Sequence, residues 1–333
     1  MDRKEAEMQF LGIGDVLLDS HRVIFSMKNL FANIILTLIV PLAFIILANA
    51  EVSDLLLDDI KRKESRLMSL QEGSATYTDL INVVTSELGY FLLIELVYII
   101  LVLILELLSR AAIVYSIACC YSSRVVTFKE VMRVVPKVWK RLAATFLCLF
   151  SLFFSLIMAT VFTVITWLVV MGVNAVGIAG GCVLFVVYMA LMFYLSIISQ
   201  LAYMVSVLED SQGFKAIEKG RNLLKGKLWL SVVVFTLWNV SLAVINSAFQ
   251  ALVVEGSSAY WRVAYGFFFF LLFSTIYLFG IVAQSIIYLV CKSYHNEKID
   301  KSALSEHLQV YAYDYVPLTS STAVQMGSYD VYV

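Results

Sequence analysis

Two carboxylates and a guanidinium stand in a stretch of chain that is otherwise almost entirely apolar. Glu95 and Glu106 are 11 residues apart, which at about 100° per residue places them on nearly the same face of a helix. Arg110 follows Glu106 by four residues, the favourable order for an ion pair along a helix. Charges inside a membrane segment are costly and are candidates for function. The three residues therefore indicate a proton- or cation-coupling site, or else a structural ion pair together with a carboxylate near the membrane surface.

A second set of polar side chains follows one face of a later apolar segment. Asn239, Asn246 and Gln250 are seven and four residues apart, so they share a helix face. The next apolar segment carries Gln284 on a comparable face. Because lipid offers amides no hydrogen-bond partner, both faces are expected to point inward. They predict either hydrogen bonds between helices or a polar route through the bundle that the carboxylates share.

The chain lacks the residue patterns of common catalytic and metal centres. Its three histidines are isolated, with no His/Glu set at the helical spacing that holds zinc. No Gly-x-Ser-x-Gly sequence and no glycine-rich phosphate loop is present. The net charge of −1 provides no positive field for nucleic acid. These patterns predict no enzyme, no cofactor, no metal site and no nucleic-acid partner.

The elements that must position these residues follow from the distribution of charge. Residues 142–208 include no Asp, Glu, Lys or Arg, a run of 67 residues. One helix of that length would extend roughly 100 Å, whereas the hydrocarbon core of a bilayer is about 30 Å thick and takes roughly 20 residues per crossing. The run must cross, turn at the glycine-rich residues 171–181, and cross back. Because apolar runs this long satisfy their backbone in lipid only as helices, we predict an all-α polytopic membrane protein.

The same criterion predicts six transmembrane helices, with both termini in the cytosol. All but five of the 24 lysines and arginines then fall on the cytosolic side, as the positive-inside rule requires. Loop 51–87 lies on the far side and carries a surface amphipathic helix around residues 54–71. The predicted crossings are 30–50, 88–108, 142–170, 182–207, 228–254 and 263–291. The predicted domains are a cytosolic segment with an interfacial helix (1–29), the six-helix domain (30–291) and a largely flexible cytosolic tail (292–333).

Two cytosolic segments, 122–141 and 209–227, combine apolar and basic residues in the manner of helices that lie at a membrane interface. Thr127 and Glu130 fit a capping box, and Pro136 is expected to begin a second short helix. Residues 16–28 form a weaker copy, so the chain is compatible with three repeated units of an interfacial helix and a hairpin. The residues predicted to contact anionic lipid or a cytosolic protein are Lys129, Arg133, Lys137, Lys140, Arg141, Lys215, Lys219 and Arg221.

Two further features bear on modification and sorting. Cys119, Cys120 and Cys291 stand where crossings end on the cytosolic side, a position that permits palmitoylation. The simpler interpretation is that these thiols are small apolar packing groups. Tyr315 and Leu318 have the Tyr-x-x-bulky form of a sorting signal, or else belong to an ordinary flexible end. The sorting pattern favours the plasma membrane or an endomembrane.

The cytosolic segments also carry a resemblance. Residues 134–142 (VVPKVWKRL) and 208–217 (LEDSQGFKAI), continuing to 220–226 (GRNLLKG), resemble a plant family of six-helix membrane proteins without assigned activity. They are similar, more distantly, to the membrane domain beside some bacterial glycerophosphodiester phosphodiesterases. The resemblance implies the six-helix topology and implies no reaction.

Taken together, these features favour a non-catalytic membrane scaffold or adaptor that contacts the lipid bilayer and binds anionic lipid or a cytosolic protein through its basic segments. The alternative is a transporter- or channel-like protein. That alternative requires the carboxylates and the amide-bearing face to converge on one cavity.

Overall fold

The computed structural model describes residues 10–68, 75–122, 126–172, 174–209, 211–254, 256 and 259–295, and within these ranges all regular structure is helical. The helices are α1 (Ile13–Ser26), α2 (Lys28–Ile34), α3 (Val40–Met68), α4 (Ala75–Tyr121), α5 (Phe128–Met171), α6 (Ala175–Leu208), α7 (Phe214–Leu224), α8 (Leu228–Phe249) and α9 (Ala259–Tyr294). A π-helical turn, Ile35–Ile39, joins α2 to α3. A second π-helical turn, Gln250–Val254, extends α8.

Among the described residues, six helical stretches are long and apolar enough to cross a membrane. Each contains one of the six predicted crossings, so the all-α polytopic fold is confirmed. They are Lys28–Lys63, Leu80–Tyr121, Phe128–Met171, Ala175–Leu208, Leu228–Val254 and Tyr260–Tyr294.

The first two crossings extend well beyond their predicted ends. The helix expected around residues 54–71 is present up to Met68, but it is a continuation of the first crossing, because α3 is unbroken from Val40 to Met68. Residues 51–68 contain many charges but neither glycine nor proline, and charge alone does not end a helix. α4 is 47 residues long, about 70 Å.

The start of the third crossing also differs from expectation. α5 is continuous through Pro136, so the predicted second helix does not begin there. Thr127 occupies the N-cap with an extended backbone, but its side chain makes no capping hydrogen bond, and the capping-box prediction is wrong. Pro136 is exposed, while the neighbouring Val135 and Val138 are buried. Packing on the buried side therefore holds the helix together despite the hydrogen bond that a proline removes.

The reversal between α5 and α6 lies in the glycine-rich stretch where it was predicted. Gly172 ends α5 with φ of 69°, a left-handed conformation that glycine adopts without strain. Asn174 then caps α6, because its Oδ1 accepts a hydrogen bond from the Gly177 N–H at 2.8 Å. The charge-free run is thus a helical hairpin.

The buried core is concentrated at one end of the bundle. We call this the basic end; it is formed by the start of α5, by α7 and by the end of α9, and the other end, with the α5–α6 turn and the start of α9, is the opposite end. From the middle of the bundle toward the basic end, residues 109–119 of α4 and 280–291 of α9 are all buried. By contrast, none of residues 80–101 of α4 or 151–171 of α5 is buried. The exposed apolar side chains of these halves form the surface that a bilayer would cover.

Candidate functional sites of the helix bundle

Arg110 is the most deeply buried charge at the predicted membrane site. α4 positions it so that its Nε and Nη2 donate to Glu106 Oε1 at 3.1 and 2.8 Å. Its Nη1 donates to the Gln200 Oε1 from α6. The guanidinium carbon lies 5.5 Å from the ring centre of Tyr203 and 5.9 Å from that of Trp238. The Arg110 side chain is only 4% exposed, whereas the Glu106 side chain is 38% exposed.

This cluster lies about halfway along the last helix. Arg110 lies over the Trp238 ring, whose centre is 6.4 Å from that of Tyr277 on α9. Along α9, Tyr277 is equally far from Arg262 near one end of the helix and from Lys292 near the other. Arg110 is therefore remote from the charged residues at both ends of the bundle.

A small, mostly apolar cavity adjoins the cluster. It has a volume of about 20 Å³, and its polar lining comes from Gln200, Ser231 and Gln284. Gln284 is 5% exposed, and neither amide atom has a hydrogen-bond partner among the described residues. A volume of this size suits a single water molecule and nothing larger.

Glu95 belongs to a different site from Glu106. Asn49 Nδ2 lies 3.4 Å from both carboxylate oxygens of Glu95, and the Ser53 hydroxyl donates to Glu95 Oε1. These partners come from α3, whereas Arg110 and Glu106 face α6, α8 and α9. The 11 residues between the carboxylates correspond to about 16 Å along the helix. The two predicted carboxylates therefore do not share a site.

The amide-bearing face of α8 does not point inward as expected. Asn239 and Gln250 are exposed, and Asn246 is only half-buried. Asn239 satisfies its own amide by donating to the Phe235 carbonyl at 2.8 Å. The buried face is instead set by large apolar side chains such as Phe249. The expectation of an inward polar stripe is thus wrong, because apolar packing decides the rotation of the helix.

At the basic end, Glu209 joins three elements. Its carboxylate forms ion pairs with Lys219 of α7 at 2.6 Å and with Lys292 of α9 at 2.7 Å. It also accepts a hydrogen bond from the Tyr288 hydroxyl at 2.7 Å, and Arg141 donates to the Glu209 carbonyl. Burial alone raises the pKa of Glu209, but the two lysines and the tyrosine outweigh it and hold the pKa below its ordinary value.

A basic pocket opens beside this network. It has a volume of about 470 Å³, and its lining includes Lys215, Lys219, Lys225, His295 and the acidic Glu218. Lys215 and Lys225 are exposed, and Lys225 Nζ donates to Asn222 Oδ1 at 2.9 Å.

The predicted basic residues divide between this pocket and the rest of the basic end. Lys215 and Lys219 line the pocket, whereas Arg221 is exposed on α7 outside its lining. On α5, the exposed members are Lys129, Arg133 and Lys140, and the half-buried members are Lys137 and Arg141.

The cysteines favour packing over lipidation. Cys119 and Cys291 are completely buried, so their thiols are inaccessible, which supports the packing interpretation over palmitoylation at these two positions. Cys120 is half-buried. The sorting pattern at Tyr315 and Leu318 lies outside the described residues. Within the described ranges, no group of three His, Cys, Asp or Glu side chains could hold a metal ion.

Apart from Glu106, the partners of Arg110 were not recognised from the sequence. Gln200 carries a signal that could have found it, because it is the only glutamine in the charge-free run 142–208. Trp238 and Glu209 carry no comparable signal. Their roles follow from long-range contacts that spacing along the chain does not show.

Six membrane-crossing helices around an internal ion pair, with basic residues gathered at one end, define a multi-pass helical membrane protein. The chain belongs to the family described as Domain of unknown function (DUF8558), whose model matches residues 1–329. No curated protein and no solved structure matches the chain.

Proposed function

We propose that this protein is a membrane scaffold whose basic end binds anionic lipid headgroups. The observation that carries the proposal is the basic pocket, where Lys215, Lys219 and Lys225 line one open space of about 470 Å³. Each basic residue near an anionic membrane surface contributes roughly 1 kcal/mol to the free energy of binding to that surface. The pocket lies beside the ends of α6 and α9, where a lipid headgroup would be found.

The proposal puts the basic end and both termini in the cytosol, at the plasma membrane or an endomembrane. It rests on the excess of lysine and arginine at that end. The exposed Lys129, Arg133 and Lys140 add positive charge to the same surface. We also propose, from the resemblance of residues 134–142 and 208–226 alone, a plant origin and a distant relation to the membrane domain of bacterial glycerophosphodiester phosphodiesterases. The proposal assigns no reaction to the chain.

A transport function has less support from the geometry. It requires the intramembrane polar groups to meet at one cavity, but Glu95 contacts α3 while Arg110 contacts α6 and α8. Asn239 and Gln250 are exposed on another face. The cavity beside the ion pair has a volume of only about 20 Å³.

The experiment that tests the proposal measures headgroup affinity directly. Full-length protein in neutral detergent is titrated against fluorescent dioctanoyl phosphatidylinositol 4-phosphate, at about 0.15 M salt so that distant charges are screened. We expect the double substitution Lys215→Gln/Lys225→Gln to weaken binding about 30-fold, since it removes roughly 2 kcal/mol of attraction.

A matched double substitution controls for net charge. Lys61 and Arg62 are exposed on α3 beyond the opposite end, so Lys61→Gln/Arg62→Gln removes the same charge far from the pocket. Unchanged affinity in this control supports the proposal. Equal affinities of the pocket variant and wild type, or equal losses in both variants, would overturn it.

A further inference from the structure

A groove at the opposite end of the bundle takes no part in the function proposed above. It lies between α3, the end of α8 and the start of α9, and it has a volume of about 580 Å³. Its floor includes the buried Leu47, Phe249 and Val253. Phe44 and Phe267 stand at its sides and are 64% and 65% exposed. Small-molecule sites typically have volumes of about 300–1,000 Å³ and mainly apolar, aromatic linings, and this groove matches both properties.

The mouth of the groove is polar. Arg262 Nε donates to the Val253 carbonyl at 2.6 Å, and its Nη2 pairs with the Glu51 carboxylate. Val253 belongs to the second π-helical turn, and such turns are frequent at functional sites. Among the described residues, these contacts occupy two of the five N–H donors of Arg262. The Glu51 side chain is 40% exposed, so the mouth offers both donors and an acceptor.

The polar and apolar parts of the groove are arranged along the helix axes. The lining runs about 10 Å along α3 from Glu51 to Phe44, and about 12 Å along α9 from Arg262 to Phe270. Arg262, the charged residue on α9, is three residues from the start of that helix, and Glu51 lies level with it because the two side chains form an ion pair. An occupant would therefore have a polar head at the mouth and an apolar body extending toward the middle of the bundle.

We propose that this groove binds a membrane amphiphile with an uncharged, hydroxyl-bearing head. A hydroxyl group can accept from Arg262 and donate to Glu51 at the same time. A charged head would leave one charge uncompensated beside an already balanced pair, which is unfavourable in a partly buried site. Sterols and monoacylglycerols both present this chemistry, and the test distinguishes them.

The test is photolabelling of full-length protein in phosphatidylcholine nanodiscs. The probes are a diazirine sterol, a diazirine monoacylglycerol and, as a charged comparison, a diazirine fatty acid. Gly266 lies in the groove lining, and a Cβ added there would have Val253 Cγ1 at 3.8 Å, an ordinary contact. Gly266→Leu therefore adds its Cβ without a clash and puts a larger side chain in the lining of the groove. We expect saturable labelling of α3 and α9 by a hydroxyl probe, weakened at least 10-fold by Gly266→Leu.

A glycine in open space provides the control. An added Cβ at Gly181 of α6 would meet nothing within 4 Å, so Gly181→Leu adds the same side chain to another transmembrane helix. Labelling by the sterol alone, or by the monoacylglycerol alone, supports the proposal and identifies the class of lipid. Labelling that does not saturate, that is equal in the Gly266→Leu and Gly181→Leu variants, or that is strongest with the fatty acid overturns it.

A second variant tests the chemistry of the mouth. Glu51→Gln leaves the positive charge of Arg262 without its anionic partner. We expect the ratio of labelling by the fatty-acid probe to labelling by the hydroxyl probes to rise about 10-fold, because the carboxylate of the fatty acid can pair with Arg262. An unchanged preference for hydroxyl heads in this variant would contradict the role assigned to the Glu51–Arg262 pair and overturn the proposal.

Discussion

A single buried guanidinium organises the middle of the bundle. Burying a charge is unfavourable unless it is paired and hydrogen-bonded. Arg110 has one carboxylate partner, Glu106, one amide partner, Gln200, and two aromatic faces. Hydrogen bonds to charged groups contribute about 1.5–3 kcal/mol each and a desolvated cation–π contact about 2 kcal/mol. Because all of these partners are fixed on helices, the arrangement supports the interpretation of Glu106 and Arg110 as a structural ion pair.

At the same scale, Glu209→Gln tests the network at the basic end. The substitution keeps the shape of the side chain but deprives Lys219 and Lys292 of their anionic partner. We expect the free energy of unfolding in detergent to fall by about 2 kcal/mol at pH 7, within the range for hydrogen bonds to charged groups. The neighbouring Glu218 is exposed on α7, so Glu218→Gln is the matched control and should change little.

The difference in free energy of unfolding between wild type and the Glu209→Gln variant should depend on pH, because the pKa of Glu209 is lowered. A carboxylate whose pKa is lower when folded stabilises the protein above its unfolded pKa, which is near 4.5, and the stabilisation is lost as pH falls through the folded value. Wild type and the Glu209→Gln variant should therefore differ by a constant amount at neutral pH and converge in acid below pH 4.5. A difference that persists unchanged into acid would contradict the role of the charge.

At the scale of elements, α7 is held close to α6 by a glycine. A Cβ added to Gly220 would lie 3.0 Å from the backbone N of Ala202 and 3.4 Å from the carbonyl oxygen of Ile198. Both neighbours are backbone atoms of a long helix and cannot rotate away. The close approach places the lysines of α7 beside Glu209, so it determines the shape of the basic pocket.

Gly220→Ala should therefore destabilise the protein although alanine is the better helix former. We expect a loss of about 1–2 kcal/mol, because overpacking outweighs a gain of about 1 kcal/mol in helix propensity. Thermal unfolding in detergent measures the change. Gly89→Ala is the control, since an added Cβ there meets nothing within 4 Å, and it should be neutral or slightly stabilising. Equal stability of the two variants would argue against the close packing of α6 and α7.

The existence of the six crossings is predictable, but their ends are less so. Charge-free runs identify the crossings because the bilayer excludes charge over about 30 Å. The same signal predicts where a crossing ends but not where its helix ends, because the charged residues 51–68 continue α3 beyond the predicted crossing. The expectation at Pro136 failed for a different reason, since the preference of proline for a first helical position was overruled by the packing of Val135 and Val138.

The sites are less predictable than the fold. The Glu106–Arg110 pair could be predicted because its partners are four residues apart on one helix. Its contact with Gln200 spans 90 positions and depends on how α4 and α6 pack. The outward direction of Asn239 depends on which face of α8 has the larger apolar residues against its neighbours. The spacing of residues along one helix predicts neither how two helices pack nor which face of a helix is buried.

At the scale of the whole molecule, six crossings require both termini to lie on the same side. The test uses epitope tags at the two ends and a third tag inserted after Asn174, in sealed microsomes. Protease added outside should remove both terminal tags and leave the tag after Asn174 intact, because the excess of basic residues predicts the termini on the cytosolic side. Terminal tags with different sensitivity would contradict the topology. Detergent-opened microsomes, in which all three tags are cut, provide the control.

The uneven distribution of buried residues has a mechanical consequence. Near the basic end the helices form one well-packed body, whereas residues 151–171 of α5 have no buried side chain at all. One half of the membrane would thus surround the closely packed helices of the basic end. The other half would surround helix segments, such as residues 151–171, that pack little against their neighbours. A change in lateral pressure in that half of the membrane is expected to tilt the exposed part of α5 relative to the packed basic end. An additive that expands only the half of the membrane at the opposite end should tilt the α5–α6 hairpin and leave the surroundings of Arg110 unchanged.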